Sequence, residues 1–265
     1  MTYEQPKVMG ILNITPDSFF DGGTNNSDSA ITKRIETMIS EGVDIIDIGA
    51  YSTRANADVV DCDEEIRRLK SALTIVKKYF SHIPISIDTF RVPVVEFVLE
   101  YFGECMVNDI SGGNIDNKMM PFVAEHKLPY VCMHMQGTPK TMQINPQYND
   151  VVAEELQFFE HKLSYAQQLG IKQFIIDPGF GFGKTVQQNY SLLHNLAQFK
   201  KYDVPILIGL SRKSMIQNVL NCTADEALNG TSILNTIALL NGANILRVHD
   251  VKEAKEVVQL VKETL

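Results

Sequence analysis

The sequence predicts an α/β protein, a (β/α)8 TIM barrel built as a single domain over residues 1–265. Three observations lead there. Eight short runs rich in Ile, Val and Leu punctuate the chain, at 7–12, 43–49, 84–88, 105–109, 129–135, 173–177, 205–211 and 244–250. They mostly lack polar alternation, as strands buried on both faces do. Stretches with helical spacing lie between most of them, and the runs finish in polar side chains. A doubly wound open sheet is the main competitor. No run stands out as an extra edge strand and no linker splits the chain, so the barrel is the preferred reading.

Taken in order, the first run, KVMGIL, leads to Asn13, and a helical stretch at 28–41 follows Asn25-Asn26-Ser27. The second, VDIIDIG, contains Asp47 and runs into Ser52-Thr53-Arg54, before a helix over 63–80. PISID ends at Asp88 and CMVND at Asn108-Asp109, while PYVCMHM holds Met133 and His134. A helix over 151–169 precedes QFIID, which ends at Asp177. Another over 186–200 precedes PILIGLS, which leads into Ser211-Arg212-Lys213-Ser214. After a helix over 225–241, NILRVHD carries Arg247 and His249. Gly42, Gly103 and Gly170 stand where helices should end, just before the next strand.

Composition narrows the function classes. The apolar share of 45% and charged share of 21% are ordinary for a globular protein. A net charge of −8 argues against a general nucleic-acid surface, yet a local cluster of Arg and Lys can still hold a small anion. No tract reaches the roughly 18 consecutive apolar residues of a membrane helix. The opening MTYEQPK lacks the basic-then-apolar layout of a secretion signal, so the expectation is a soluble, cytoplasmic protein. Cys62, Cys105, Cys132 and Cys222 lie far apart with no CxxC pair, which suggests reduced thiols rather than a zinc site or a disulfide framework.

The polar strand ends carry the chemistry, because barrel active sites gather at that pole. Arg247 and His249 are two apart on one strand and point to the same side. Facing outward, Arg would meet the apolar face of a helix at a large desolvation cost. Facing inward, the pair suits a phosphate-like group. With Arg54 after strand two and Asn13 after strand one, three neighbouring strands converge on a polyanion. Asp88, Asn108 and Asp177, with Lys213, form a different pattern. A carboxylate accepting two N–H bonds side by side suits an aminopyrimidine edge, although Asp88 and Asp177 also suit structural ion pairs with barrel cations.

The stretch DPGFGFGKT, 177–185, imitates nucleotide motifs without meeting them. A P-loop needs Gly where Pro178 stands, and the dinucleotide pattern needs Gly where Lys184 stands. It reads as a glycine-rich strand-to-helix loop that brings Phe180 and Phe182 towards a ligand.

Together these strings resemble the dihydropteroate synthases, folate-pathway enzymes inhibited by sulfonamides. GILNITPDSFFDGG and DIIDIGAYSTR match the family's first two signature loops. SIDTF, VNDISGG, MHMQGTP, IIDPGFGFGK, SRKS and RVH match the later strand ends, in order and over almost the whole chain. The resemblance implies condensation of (7,8-dihydropterin-6-yl)methyl diphosphate with 4-aminobenzoate, giving 7,8-dihydropteroate and pyrophosphate. It assigns Asp88, Asn108, Met133, Asp177 and Lys213 to the pterin. Asn13, Thr53, Arg54, Arg247 and His249 go to the diphosphate, with Mg2+ bound alongside Asn13. Phe182, Arg212 and Ser214 surround the aminobenzoate. Asp88, Lys213, Arg247 and His249 are the expected catalytic groups, and a homodimer formed through late helices is the expected assembly.

Two loops, 13–23 with Phe19 and Phe20 and 52–60, are expected to fold over the mouth and exclude water from a reactive cation. The family usually has Pro after the Arg of Ser-Thr-Arg, whereas Ala55-Asn56-Ala57 follows here, which implies a differently shaped second-substrate pocket. Phe20 is a second departure, standing where a small residue is common. The rival readings are a methyltetrahydrofolate-type pterin methyltransferase and a non-catalytic pterin-binding paralogue. Arg54, Arg247 and His249 speak against the first, and the full set of polar strand ends against the second.

Overall fold

The computed structural model describes residue 3 and residues 5–14, 24–51 and 60–264. Eight strands form one parallel sheet: β1 Lys7–Asn13, β2 Ile45–Gly49, β3 Ile85–Asp88, β4 Met106–Asp109, β5 Tyr130–Met133, β6 Phe174–Asp177, β7 Leu207–Ile208 and β8 Ile245–Val248. Their spatial order, β6-β5-β4-β3-β2-β1-β8-β7, wraps nearly all the way round. The remaining seam is bridged by Ile176 and Ile206, with the Ile176 N–H donating to the Pro205 carbonyl at 3.0 Å. The sheet is the expected barrel, and the doubly wound alternative falls away.

Helices return each strand to the next: α1 Thr24–Ser40, α2 Cys62–Tyr79, α3 Val92–Tyr101, α4 Met119–His126, α5 Val151–Leu169, α6 Val186–His194, α7 Ser214–Leu220, α8 Leu228–Leu240 and α9 Val251–Lys262. Their limits follow local chemistry. Asp150 accepts from the Val152 and Ala153 N–H groups to start α5, and Gly170, at φ 79°, ends it. A single helix over 186–200 does not form. The chain leaves the α conformation at Asn195, whose side chain bonds the Ser191 carbonyl and Gln198, and a 3-10 helix, Leu196–Tyr202, continues. Such local side-chain bonding competes with the helical ladder.

Two apolar layers result. Val8, Ile46, Ile48, Ile87, Val107, Ile176 and Leu246 point outward and pack under the helices. Met9, Ile45, Met106, Val131, Ile175, Leu207 and Ile245 point inward and plug the barrel. Because side chains on a strand alternate, the residues two further along share the inward face. These are Ile11, Asp47, Asn108, Met133, Asp177, Gly209 and Arg247. The plug therefore fixes the floor on which the polar groups stand.

Candidate active site

One hydrogen-bonded chain crosses the mouth. Arg247 on β8 donates from Nε to Asp47 Oδ2 at 2.6 Å and from Nη2 to Asp88 Oδ2 at 2.7 Å. Asn108 Nδ2 donates to the same Asp47 oxygen at 3.1 Å. Asp47 is fully buried, so it joins the two halves of the site from below. Burial works against the Arg247 charge, but Asp47 and Asp88 more than restore it, and its pKa is raised. Burial pushes the Asp88 carboxyl up; Arg247 opposes this and Asp47 adds to it.

On the other flank, Asp177 accepts from the Gly179 N–H at 2.8 Å, and burial raises its pKa against the pull of Lys213. Lys213 donates to the Phe180 carbonyl and lies over the Phe182 ring, 4.8 Å from its centre. Burial lowers Lys213 to about 7, with Asp177 resisting. Lys213 and Arg247 both border Gly209: a Cβ there would stand 3.7 Å from Lys213 Nζ and 4.0 Å from Arg247 Cβ. An apolar shelf of Phe90, Ile110, Met133, Met135 and Met142, with Tyr51 and Phe182 packed against it, completes this side.

His249 lies two residues beyond Arg247, where its Nδ1 meets Ser211 Oγ at 3.0 Å. Burial and the nearby Arg247 lower its pKa to about 4, so the imidazole is neutral at physiological pH. Arg34 on α1 donates to the His249 carbonyl and fixes this corner. Asn13, Gly49 and Asp88 occupy one rung of the sheet. A Cβ on Gly49 would come within 3.5 Å of Asp88 Oδ2 and 3.6 Å of Asn13 Oδ1, so two oxygens overlook one small space.

Arg212, expected beside the aminobenzoate, donates from Nε and Nη2 to Asp250 and from Nη1 to Asp225, at 3.0, 2.7 and 2.9 Å. Ser214, next to Lys213, is exposed at the start of α7. Thr53 and Arg54, the loop aromatics Phe19 and Phe20, and Ala55-Asn56-Ala57 lie outside the described residues. Asp47, Ser211 and Arg34 were missed as site residues. The inward parity of Asp47, two positions after Ile45, is the signal that marks it.

Fold and site together define a (β/α)8 barrel that gathers carboxylates and cations from several strand ends into one cup. The model of a family described as pterin binding enzyme matches residues 9–249. The dihydropteroate synthase of Escherichia coli strain K12 is 44% identical over 262 residues, covering 98% of this chain and 92% of that one. A Yersinia pestis dihydropteroate synthase, solved with a sulfonamide drug complex, superposes with TM-score 0.91 at 37% identity, covering 100% and 96% of the two chains. A Xanthomonas albilineans dihydropteroate synthase solved with 4-aminobenzoic acid gives TM-score 0.91 at 35% identity, covering 100% and 94%. The chain belongs to the dihydropteroate synthase family.

Replacing Asp47 by Asn removes the charge that Arg247 Nε and Asn108 share. Breaking a buried pair from one side costs about 3 kcal/mol, so Asp47→Asn should lower the unfolding free energy in urea by that order. The same variant should bind pterin more weakly in calorimetry. Unchanged values for both would show that Asp47 is not the link.

Proposed function

We propose that the chain condenses (7,8-dihydropterin-6-yl)methyl diphosphate with 4-aminobenzoate to 7,8-dihydropteroate and pyrophosphate. The observation that carries this reading is the contact between Asp88 on β3 and Arg247 on β8, beside Lys213, Asn108 and Asp177. These groups come from opposite ends of the chain, yet they line one cup. Family membership supports the same conclusion.

In this reading Asp177, Asn108, Asp88 and Lys213 bond the polar edge of the pterin, and Met133 closes over its apolar face. Arg247, His249 and Asn13 face the diphosphate, with Thr53 and Arg54 completing that set. Phe182 and Ser214 border the aminobenzoate, while Arg212 braces the segment that carries Lys213. The bond between the pterin methylene carbon and the diphosphate oxygen breaks, and its electron pair leaves with the diphosphate. The arylamine nitrogen forms the new C–N bond and then loses a proton. Arg247 Nη1 makes no hydrogen bond among the described residues and supports the growing charge. His249, neutral in the free site, gains basicity beside the arriving anion and shares that load.

Mg2+ fits the residues present. It usually takes one or two protein oxygens and fills its remaining positions with water and substrate phosphates. The described residues hold no cluster of three His, Cys, Asp or Glu side chains, and Asn13 Oδ1 faces the space above Gly49 as the protein oxygen. Bound there, Mg2+ would neutralise charge on the leaving diphosphate. The four thiols are unpaired, which suits the reducing cytoplasm, and no described helix is long and apolar enough to cross a membrane. Ile233, Ile237 and Leu240 form an exposed stripe at helical spacing on α8, and the adjoining α7 exposes Val219 and Leu220. A second copy of the chain is the occupant we assign to it, because an isolated helix seldom leaves so many large apolar groups in water.

Purified protein given both substrates and Mg2+ should release pyrophosphate in step with product, and chelation with EDTA should abolish the release reversibly. No release with Mg2+ present would refute the activity, and release undiminished by EDTA would refute the metal. Lys213 is charged below about 7 and neutral above it. Thus kcat/KM for the pterin diphosphate should decline as pH rises through that value in the wild type, while Lys213→Arg, which keeps its charge, should lose the decline. A decline retained in Lys213→Arg would assign it elsewhere. In sedimentation, the wild type should run as a dimer and Ile237→Glu as a monomer; a monomeric wild type would rule the interface out.

A further inference from the structure

Behind the cup lies an ion pair that the proposed reaction does not use. Lys184 Nζ sits 3.1 Å from Glu155 Oε1 on α5, and both side chains are completely buried. Such a pair is a poor source of stability, since desolvating two charges offsets most of their attraction. Its other contacts point to a different purpose. The ammonium donates to the carbonyls of Gly179 at 3.0 Å and Phe182 at 3.1 Å, and meets the His134 carbonyl at 3.4 Å and Nδ1 at 3.2 Å. His134 Nδ1 in turn lies 3.3 Å from Glu155 Oε1.

Those carbonyls bracket the residues that touch the site. Between Gly179 and Phe182 stand Phe180, whose carbonyl receives Lys213, and Gly181, where a Cβ would lie 3.3 Å from Lys213 Cδ. Phe182 carries the ring under the Lys213 ammonium. The loop presses so closely on the chain after β5 that a Cβ at Gly179 would fall 2.0 Å from the His134 carbonyl oxygen, and one at Gly183 2.6 Å from that of Gln136. A loop with carbonyls turned inward needs a cation at its centre, and Lys184 supplies one covalently.

We propose that Lys184, charge-compensated by Glu155, is a positioning residue that fixes the loop 179–183 and thereby sets the Phe182 ring for the second substrate. This rests on the proposed function, and it adds a specificity role for residues outside the cup. The ammonium state matters, because a neutral amine holds carbonyls far less well. Burial lowers the Lys184 pKa, while Glu155 and Asp177 raise it. The other groups facing the cluster are His134, lowered by burial, Tyr148, raised by burial, and Lys213. The clamp is therefore present at low pH and is lost as pH rises through the Lys184 value; removing Glu155 moves that loss to lower pH.

The test compares Lys184→Met and Glu155→Gln with the wild type, varying each substrate in turn and following pyrophosphate. Lys184→Met should raise the KM for 4-aminobenzoate about tenfold or more while the KM for the pterin diphosphate changes little, since small misplacements of a positioning group are costly. In Glu155→Gln, which keeps the shape, the rise of that KM with pH should begin at lower pH than in the wild type. Amide hydrogen exchange, which needs no turnover, should quicken at 179–183 in both variants and stay unchanged in β6. Equal increases in the two KM values, an unshifted pH dependence, or unaltered exchange at 179–183 would each overturn the clamp. An inactive wild type whose variants still show faster exchange would sink the proposed reaction and leave the clamp standing.

Discussion

Arg247 reaches from the last strand to carboxylates on the second and third, and most of the cup takes its geometry from that reach. A guanidinium presents its donors in a rigid plane, so two carboxylates bonded to it cannot turn independently. Asp47 also receives Asn108, which extends the rigid unit to β4. Gly49 helps make the arrangement possible, for a Cβ there would stand 3.3 Å from that of Asp88. The apolar plug beneath, with Ile45, Met106 and Ile245 from β2, β4 and β8, supports this unit from below.

The fold was legible because its signal is repetitive. Strands buried on both faces read as apolar runs, and eight of them separated by helical spacing leave few architectures. The boundary at Asn195 was not legible, since it depends on whether one amide side chain bonds its own backbone or leaves it helical.

The site was legible where residues end strands, as Asp88, Asn108, Asp177 and Arg247 do. It was less so where a partner decides the role. Arg212 and Lys213 are adjacent cations in one motif, yet one turns to Asp225 and Asp250 and the other to the cup. Nothing in the string SRKS separates them; the positive φ of Arg212, 56°, which turns the chain between Ser211 and Lys213, belongs to the folded backbone. In the sequence Lys184 shows only as the residue that breaks a nucleotide motif, because its acceptors are carbonyls, which carry no sequence signature.

Charge shows why this half of the mouth is not the whole of it. Asp47, Asp88 and Asp177 face Arg247 and Lys213, so carboxyl groups outnumber basic ones while His249 stays neutral. That surplus of acceptor oxygens suits the N–H donors of an aminopyrimidine edge. It opposes a diphosphate, whose charges would be repelled unless further positive charge came with it. Under the proposed function, protonation of His249 would bring one unit and a divalent cation beside Asn13 two. Arg54, which follows β2 in the sequence, would bring another. On that reading the pterin half of the cup is preformed, whereas the diphosphate half would acquire its charge balance as the substrate arrives, coupling occupancy of the first substrate to completion of the site.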